Sequence, residues 1–215
     1  MGQLNSPEFK ALLPDLMALV AVGTIADVVP LVDENRSLVA LGLRALAATR
    51  HPGMRALLEV SRCRDSRVQP ADVAFRIGPR INAAGRLRSA HLALDLLLCD
   101  DPVESTRLAR SLDEGNRERQ QVERGQAEEA YAMAEARLAE ADAPALVLAD
   151  PGWHAGVIGI VAARVAETYH KPAALITIEG EEARGSARSF GGVRLHEALD
   201  ACRDQLLTHG GHAYA

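Results

Sequence analysis

The sequence predicts an α/β protein in three zones: a first part rich in helices and turns, one long helix, and a small α/β unit near the C-terminus. Three observations carry this. Apolar residues recur at helical spacing through Phe9–Val22 and Arg36–Arg50. Asp101, followed by Pro102 and Glu104, is a helix start: a capping acid, proline at the first position and glutamate at the third. From Pro144 onward a strand, a helix and a second strand follow in order, which is a βαβ unit with parallel strands.

The elements read as follows. Phe9–Val22 is helical, and the β-branched run Ile25–Leu31 suits a short buried strand or its exit loop. Arg36–Arg50 is a helix closed by His51-Pro52-Gly53; Met54–Val60 and Ser89–Cys99 are shorter helices. The long helix runs from Asp101 to about Ala141 and would span ~60 Å. Its centre, Asp113–Gln121, is polar throughout, which suits a helix bridging two domains through solvent; a break at Gly115 or Gly125 is the competing reading. Ala145–Ala149 is a strand, Val157–Tyr169 a helix stopped by His170-Lys171-Pro172, and Ala173–Ile178 the next strand. Gly185–Ser189 is a further strand, Val193–Leu207 a helix, and Gly210-Gly211-His212 a tight loop. The expected domains are residues 1–100, a connecting helix over 101–142, and a unit over 143–215.

Composition narrows the function classes. The 215 residues are 48% hydrophobic, enough for a packed core and against wholesale disorder. No stretch approaches the ~18 uninterrupted apolar residues of a membrane span, and the N-terminus lacks the pattern of a secretory signal, so no membrane partner is expected. Three scattered cysteines, Cys63, Cys99 and Cys202, exclude a disulfide scaffold and a cysteine-built zinc site and suit a reducing cytoplasm. Aromatics at 3% argue against gripping bases mainly by stacking.

The net charge of −5 conceals its distribution. Residues 100–142 hold twelve Asp/Glu against six Arg. Val73–Leu94 contains no acid but carries Arg76, Arg80, Arg86 and Arg88; Ala183–His196 has Arg184, Arg188 and Arg194, again without an acid. Only Lys10 and Lys171 are lysine, and arginine suits a bidentate grip on phosphate oxygens. A GC-rich coding bias accounts equally well for the Arg/Lys ratio, but not for the acid-free windows.

Five segments carry candidate chemistry. Asp27 stands where an apolar run ends, a place for a hard-cation ligand or for a turn cap. Gly78-Pro79-Arg80-Ile81-Asn82-Ala83-Ala84-Gly85-Arg86 reads as a loop whose small residues permit close approach and whose donors could hold a phosphate, with an arginine-rich solvated turn as the alternative. Gly152-Trp153-His154-Ala155-Gly156 joins strand to helix: His154 could meet a phosphate or a base, and Trp153 either packs in the core or stacks. On the strand Gly185–Ser189, Ser186 and Arg188 share one face, and Gly210-Gly211-His212 sets an imidazole on a pivot. No Ser/His/Asp triad, HExxH helix or dinucleotide fingerprint can be assembled.

Taken together, GTIADVVPLVDENR, FRIGPRINAAGRL, the NRERQQVE helix, DPGWHAGVIGIVAARVAE and GSARSF…GGHAYA resemble, in order, the bacterial RecJ-type exonucleases of the DHH phosphoesterases. The resemblance covers nearly the whole chain. It implies the C-terminal part of a DHH domain, a long connecting helix and a DHH-associated domain, with single-stranded DNA bound between two basic lobes. The implied activity is 5′-to-3′ exonuclease action with two Mn²⁺ or Mg²⁺ ions, in DNA repair and recombination. Asp27 then matches a metal-ligating aspartate and Arg80 an arginine on the scissile phosphate. Arg76, Asn82, Arg86, His154, Ser186, Arg188, Ser189, Gly210, Gly211 and His212 match nucleic-acid-facing positions.

The family's Asp-x-Asp-Gly and Asp-His-His motifs do not occur here, so most ligands of a two-ion centre are missing. The expectation is therefore a fragment or truncated product, cut inside the GGHxxAAG-like ending and inactive alone. Two alternatives stand beside it: a DHH phosphodiesterase for oligoribonucleotides or cyclic dinucleotides, and a non-catalytic nucleic-acid-binding module.

Overall fold

The computed structural model describes residues 6–63 and 67–211, so His212 lies outside the described residues. The chain is mixed α/β, mostly helical, with one small sheet. It divides into two units, Met1–Glu118 and Arg119–Ala215, and the division falls inside the longest helix.

In the first unit, α1 spans Pro7–Ala26 and opens on Ser6, whose hydroxyl accepts from the Phe9 amide at 3.1 Å. By length and composition α1 is long and apolar enough to cross a membrane, although Glu8, Lys10 and Asp15 interrupt its apolar residues. In the structure it pairs with α2 (Asp33–Ala48) and buries Ala18, Ala21, Val22 and Ile25. Of the two readings of Ile25–Leu31, the strand does not form and the exit loop does. Ile25 and Ala26 complete α1, because Ile25 sits on the same face as Ala18, Ala21 and Val22, and residues 27–32 are the exit loop. Helices α3 (Pro52–Val60) and α6 (His91–Leu98) add Met54, Leu57 and Leu96 to a core that also holds Leu46, Val73, Ile77 and Leu112.

The GPRINAAGR segment is not a loop. A short turn, α4 (Pro70–Asp72), leads through a wide π-helical turn at Val73–Ile77 into α5 (Gly78–Leu87). Proline inside a helix withholds one amide and crowds the preceding turn. Here the Gly78 amide reaches back to the Val73 carbonyl, and Pro79 enters within the first two positions of α5, where its missing N–H costs little.

Helix α7 is continuous over Pro102–Glu140; neither Gly115 nor Gly125 breaks it. Asp101 caps it, its Oδ1 accepting from the Val103 and Glu104 amides at 2.7 and 3.3 Å. The polar centre does not simply face solvent: Asp113, Asn116, Glu123 and Gln126 are buried. Polar side chains can line an interior when they find partners there, and several of these do.

The second unit follows the βαβ expectation. Strand β1 (Leu146–Ala149) pairs in parallel with β2 (Ala173–Glu179), with α8 (Ala155–Tyr169) between them in sequence. Strand β3 (Glu182–Arg188) adds antiparallel to β2, giving the order β1-β2-β3. Its core gathers Leu146, Leu148, Val157, Val161, Val165 and Leu175 with Ala127, Ala130 and Ala134 of α7. The helix expected over Val193–Leu207 is shorter. α9 covers only Leu195–Ala201, and a 3-10 turn at Arg203–Gln205 ends it, because no residue of α9 is buried to extend its packing face.

Replacing Asp101 by alanine removes both accepted hydrogen bonds at the start of α7 and is expected to cost about 1 kcal/mol of stability. Asp101→Asn should restore most of it. Urea denaturation followed by circular dichroism reads both.

Candidate nucleic-acid interface

In the first unit the candidate residues fall into two groups. Asp27 follows the last residue of α1, its amide donating to the Gly23 carbonyl. The next residue, Val28, is exposed and holds φ 56°, a left-handed conformation that a β-branched residue rarely accepts. Helix α5 starts close against this end of α1: a Cβ on Gly78 would lie 3.2 Å from the Ala26 Cβ and 3.0 Å from the Val73 carbonyl oxygen. That close approach brings Ile81 and Asn82 to the same cavity as Asp27, about 310 Å³ and otherwise lined by Leu19, Val22, Gly23, Ala26 and Leu97.

Arg80 turns elsewhere. Its Nε donates to Asp113 Oδ1 at 2.9 Å, its second terminal nitrogen lies 2.8 Å from the same oxygen, and the other donates to the Arg76 carbonyl at 2.6 Å. Arg117 takes the second carboxylate oxygen of Asp113 at 2.7 Å. Both Arg80 and Asp113 are largely buried, so the pair is screened far less than a surface bridge. Arg76 is bound to Asp72 at 3.1 Å, and the Gln69 amide together with Arg76 holds the Asp72 carboxyl below the usual carboxylate range. Arg86 is exposed near the end of α5.

In the second unit, β3 does what its alternation predicts. Ser186 stands opposite Leu175 and Arg188 opposite Ala173, so both side chains leave the same face. Arg188 NH1 donates to Ser186 Oγ at 3.4 Å and to the Ala187 carbonyl at 2.8 Å. The pair lines a cavity of about 540 Å³ with His196, His209, Gly210 and Gly211, over a floor that includes Ile176, Leu195, Leu199 and Leu206. His209 Nε2 lies 2.7 Å from Asp200 Oδ1, tying the segment before the two glycines to α9; that hydrogen bond holds the Asp200 carboxyl below its ordinary range.

His154 is the N-cap of α8, its Nδ1 accepting from the Gly156 amide at 3.1 Å, and its ring is exposed. Trp153 is a core residue: it is buried, and its indole N–H donates to Glu129 at 2.9 Å. Ser189 directly follows β3. The cavity therefore gathers Ser186, Arg188, Gly210 and Gly211, whereas Asp27 shares its own cavity with Asn82, and Arg80 pairs with α7. The partners Asp113, Asp200, His196 and His209 were not foreseen. The i,i+4 spacing of Asp113 and Arg117 was a visible signal; the long-range pairings left none.

A family model described as the DHHA1 domain matches residues 142–215. The single-stranded-DNA-specific exonuclease RecJ of Bacillus subtilis is 41% identical over 206 residues, covering 94% of this chain and 26% of its own length. The chain is homologous to a segment of RecJ. The crystal structure of Thermus thermophilus RecJ in complex with Mn²⁺ superposes with a TM-score of 0.83 at 40% identity, over 94% of this chain and 29% of that one. Its Mg²⁺ complex gives 0.81 at 41%, over 93% and 30%. The RecJ-like chain thus spans between a quarter and a third of these relatives.

The metals in those relatives prompt a test of fit. The Asp27 cavity offers one carboxylate and one carboxamide. Among the described residues no three His, Cys, Asp or Glu side chains cluster to hold an ion. A two-ion centre needs several anionic ligands around ions ~4 Å apart, so the residues described here do not fit one.

Removing the carboxylate in Asp113→Ala strands a largely buried guanidinium, and a loss of about 3 kcal/mol is expected. Exposed Glu118→Ala, which breaks the Arg88 bridge at the surface, should cost under about 1 kcal/mol. Chemical denaturation of the two variants measures the contrast.

Proposed function

We propose that this chain is the nucleic-acid-holding part of a metal-dependent 5′-to-3′ exonuclease acting on single-stranded DNA in repair and recombination, in the cytoplasm. The observation that carries the reading is the cavity of the second unit, where Ser186 and Arg188 from β3 meet the Gly210–Gly211 segment. A hydroxyl, a guanidinium and unhindered glycine backbone suit a phosphodiester: the first two give charge-assisted hydrogen bonds and the last lets the strand approach. Homology to RecJ over almost the whole chain supports the choice of single-stranded DNA.

In the first unit Asp27 is the proposed metal-ligating carboxylate, with Asn82 beside it. Further ligands for Mn²⁺ or Mg²⁺ would come from outside the described residues. Arg80 is the proposed phosphate contact of this unit, seated by Asp113. A guanidinium has five N–H donors, and the three bonds seen within the fold leave capacity for a phosphate. Arg76, Arg86, His154, Ser189 and His212 are proposed to add further contacts along the strand.

On this reading the 215-residue chain binds single-stranded DNA weakly and does not cut it. Affinity for oligothymidylate should fall steeply with salt, ignore EDTA, and drop in Arg188→Ala with a salt slope shallower by about 0.7. Fluorescence anisotropy measures this. Mn²⁺-dependent nucleotide release by the purified chain, lost in Arg80→Ala, would overturn the assignment of this chain to binding alone.

A further inference from the structure

We infer that Gly159 is a positioning residue for the Ser186–Arg188 pair: its missing side chain keeps open the space in which hydroxyl and guanidinium meet over α8. The inference rests on the reading of that pair as a nucleic-acid contact.

Gly159 lies in the interior of α8, among the buried residues Val157, Ile158, Val161 and Ala162. A helix interior favours alanine over glycine, which costs more backbone entropy on folding. Gly159 has no left-handed backbone to justify it. What the position shows instead is a close approach. A Cβ at residue 159 would lie 2.9 Å from Ser186 Oγ, 3.3 Å from an Arg188 terminal nitrogen and 3.6 Å from Ser186 Cβ.

The backbone on the strand side has little room to yield. Ser186 sits in register with fully buried Leu175 in the middle of the β2–β3 ladder. Its Cβ would stand at an ordinary contact distance from the added carbon, so the hydroxyl and the guanidinium are the groups that must move. They move together, because Arg188 NH1 donates to Ser186 Oγ. A methyl group on α8 would therefore leave the helix and sheet in place and turn both polar ends from the cavity they line. Glycine here gives up helix stability, and the geometry it secures is that of the phosphate-facing pair.

This separates binding from stability in one substitution. The test uses the 215-residue chain with Gly159→Ala, Arg188→Ala and the double variant, reading thermal melting and affinity for a 20-nucleotide oligothymidylate at low salt by fluorescence anisotropy. In Gly159→Ala the melting temperature should stay level or rise by about 2–4 °C, while affinity falls about tenfold. The double variant should lose less than the two single losses combined, since both substitutions act on the Arg188 guanidinium. If Gly159→Ala binds like wild type while Arg188→Ala loses affinity, the inference is overturned and the binding reading stands. If Gly159→Ala lowers the melting temperature along with affinity, or does not fold, the glycine serves packing and the inference is again overturned. If Arg188→Ala binds like wild type, or wild type shows no binding, the binding reading falls and takes the inference with it.

Discussion

Two buried carboxylates on one helix organise the charged groups of this chain. Asp113 of α7 accepts from Arg80 and Arg117, and Glu123 of the same helix pairs with Arg119 and Arg164. Each is more than nine-tenths buried. An isolated carboxylate at such sites would be costly to desolvate; two guanidiniums apiece offset that cost through charge-assisted hydrogen bonds. Each carboxylate serves its own unit, Asp113 fixing α5 through Arg80 and Glu123 fixing α8 through Arg164. A helix with almost no apolar residue in its middle thereby becomes an interior element, and Arg80 and Arg88 of the acid-free window find their acids on it.

Sequence patterning made the larger elements legible. The start of α7 at Asp101-Pro102, the parallel β1–β2 pair with its connecting helix, and the shared face of Ser186 and Arg188 all rest on local rules of capping and periodicity, and local rules hold when packing agrees with them. The failures are equally physical. GPRINAAGR reads as a loop because glycine and proline are counted as breakers, yet the π-helical turn before Gly78 accommodates Pro79 and the helix continues. Ile25–Leu31 reads as a short strand or an exit loop because it is β-branched, and the loop forms over residues 27–32 while Ile25 belongs to the buried face of α1. For so short an apolar run, tertiary packing outweighs propensity.

The candidate site was legible in a different proportion. Ser186, Arg188, Gly210 and Gly211 could be named from motif and alternation, and the structure lines one cavity with all four. Asp27 and Arg80 could be named too, but not their surroundings: Asn82 shares the Asp27 cavity, while Arg80 reaches across to α7. A pairing such as Arg80–Asp113, 33 residues apart in sequence, leaves no periodic trace. Nor does the Asp200–His209 hydrogen bond, which ties the segment before the two glycines to a helix too short and too exposed to be bounded from its own pattern.

On the function proposed above, the distribution of these groups bears on how binding and cutting could be separated. Ser186, Arg188, Gly210 and Gly211 of the second unit come from β3 and the segment after α9, and they line one cavity. In the first unit Asp27 is an exposed carboxylate at the end of α1, followed by a strained valine. Recognition through arginine and glycine tolerates a wide range of base sequences, because every nucleotide presents the same phosphate. Hydrolysis through ions tolerates almost no displacement, because both ions must address one phosphorus. On the function proposed above, gripping the strand and holding the reacting phosphate would be tasks for different groups, each suited to its own requirement.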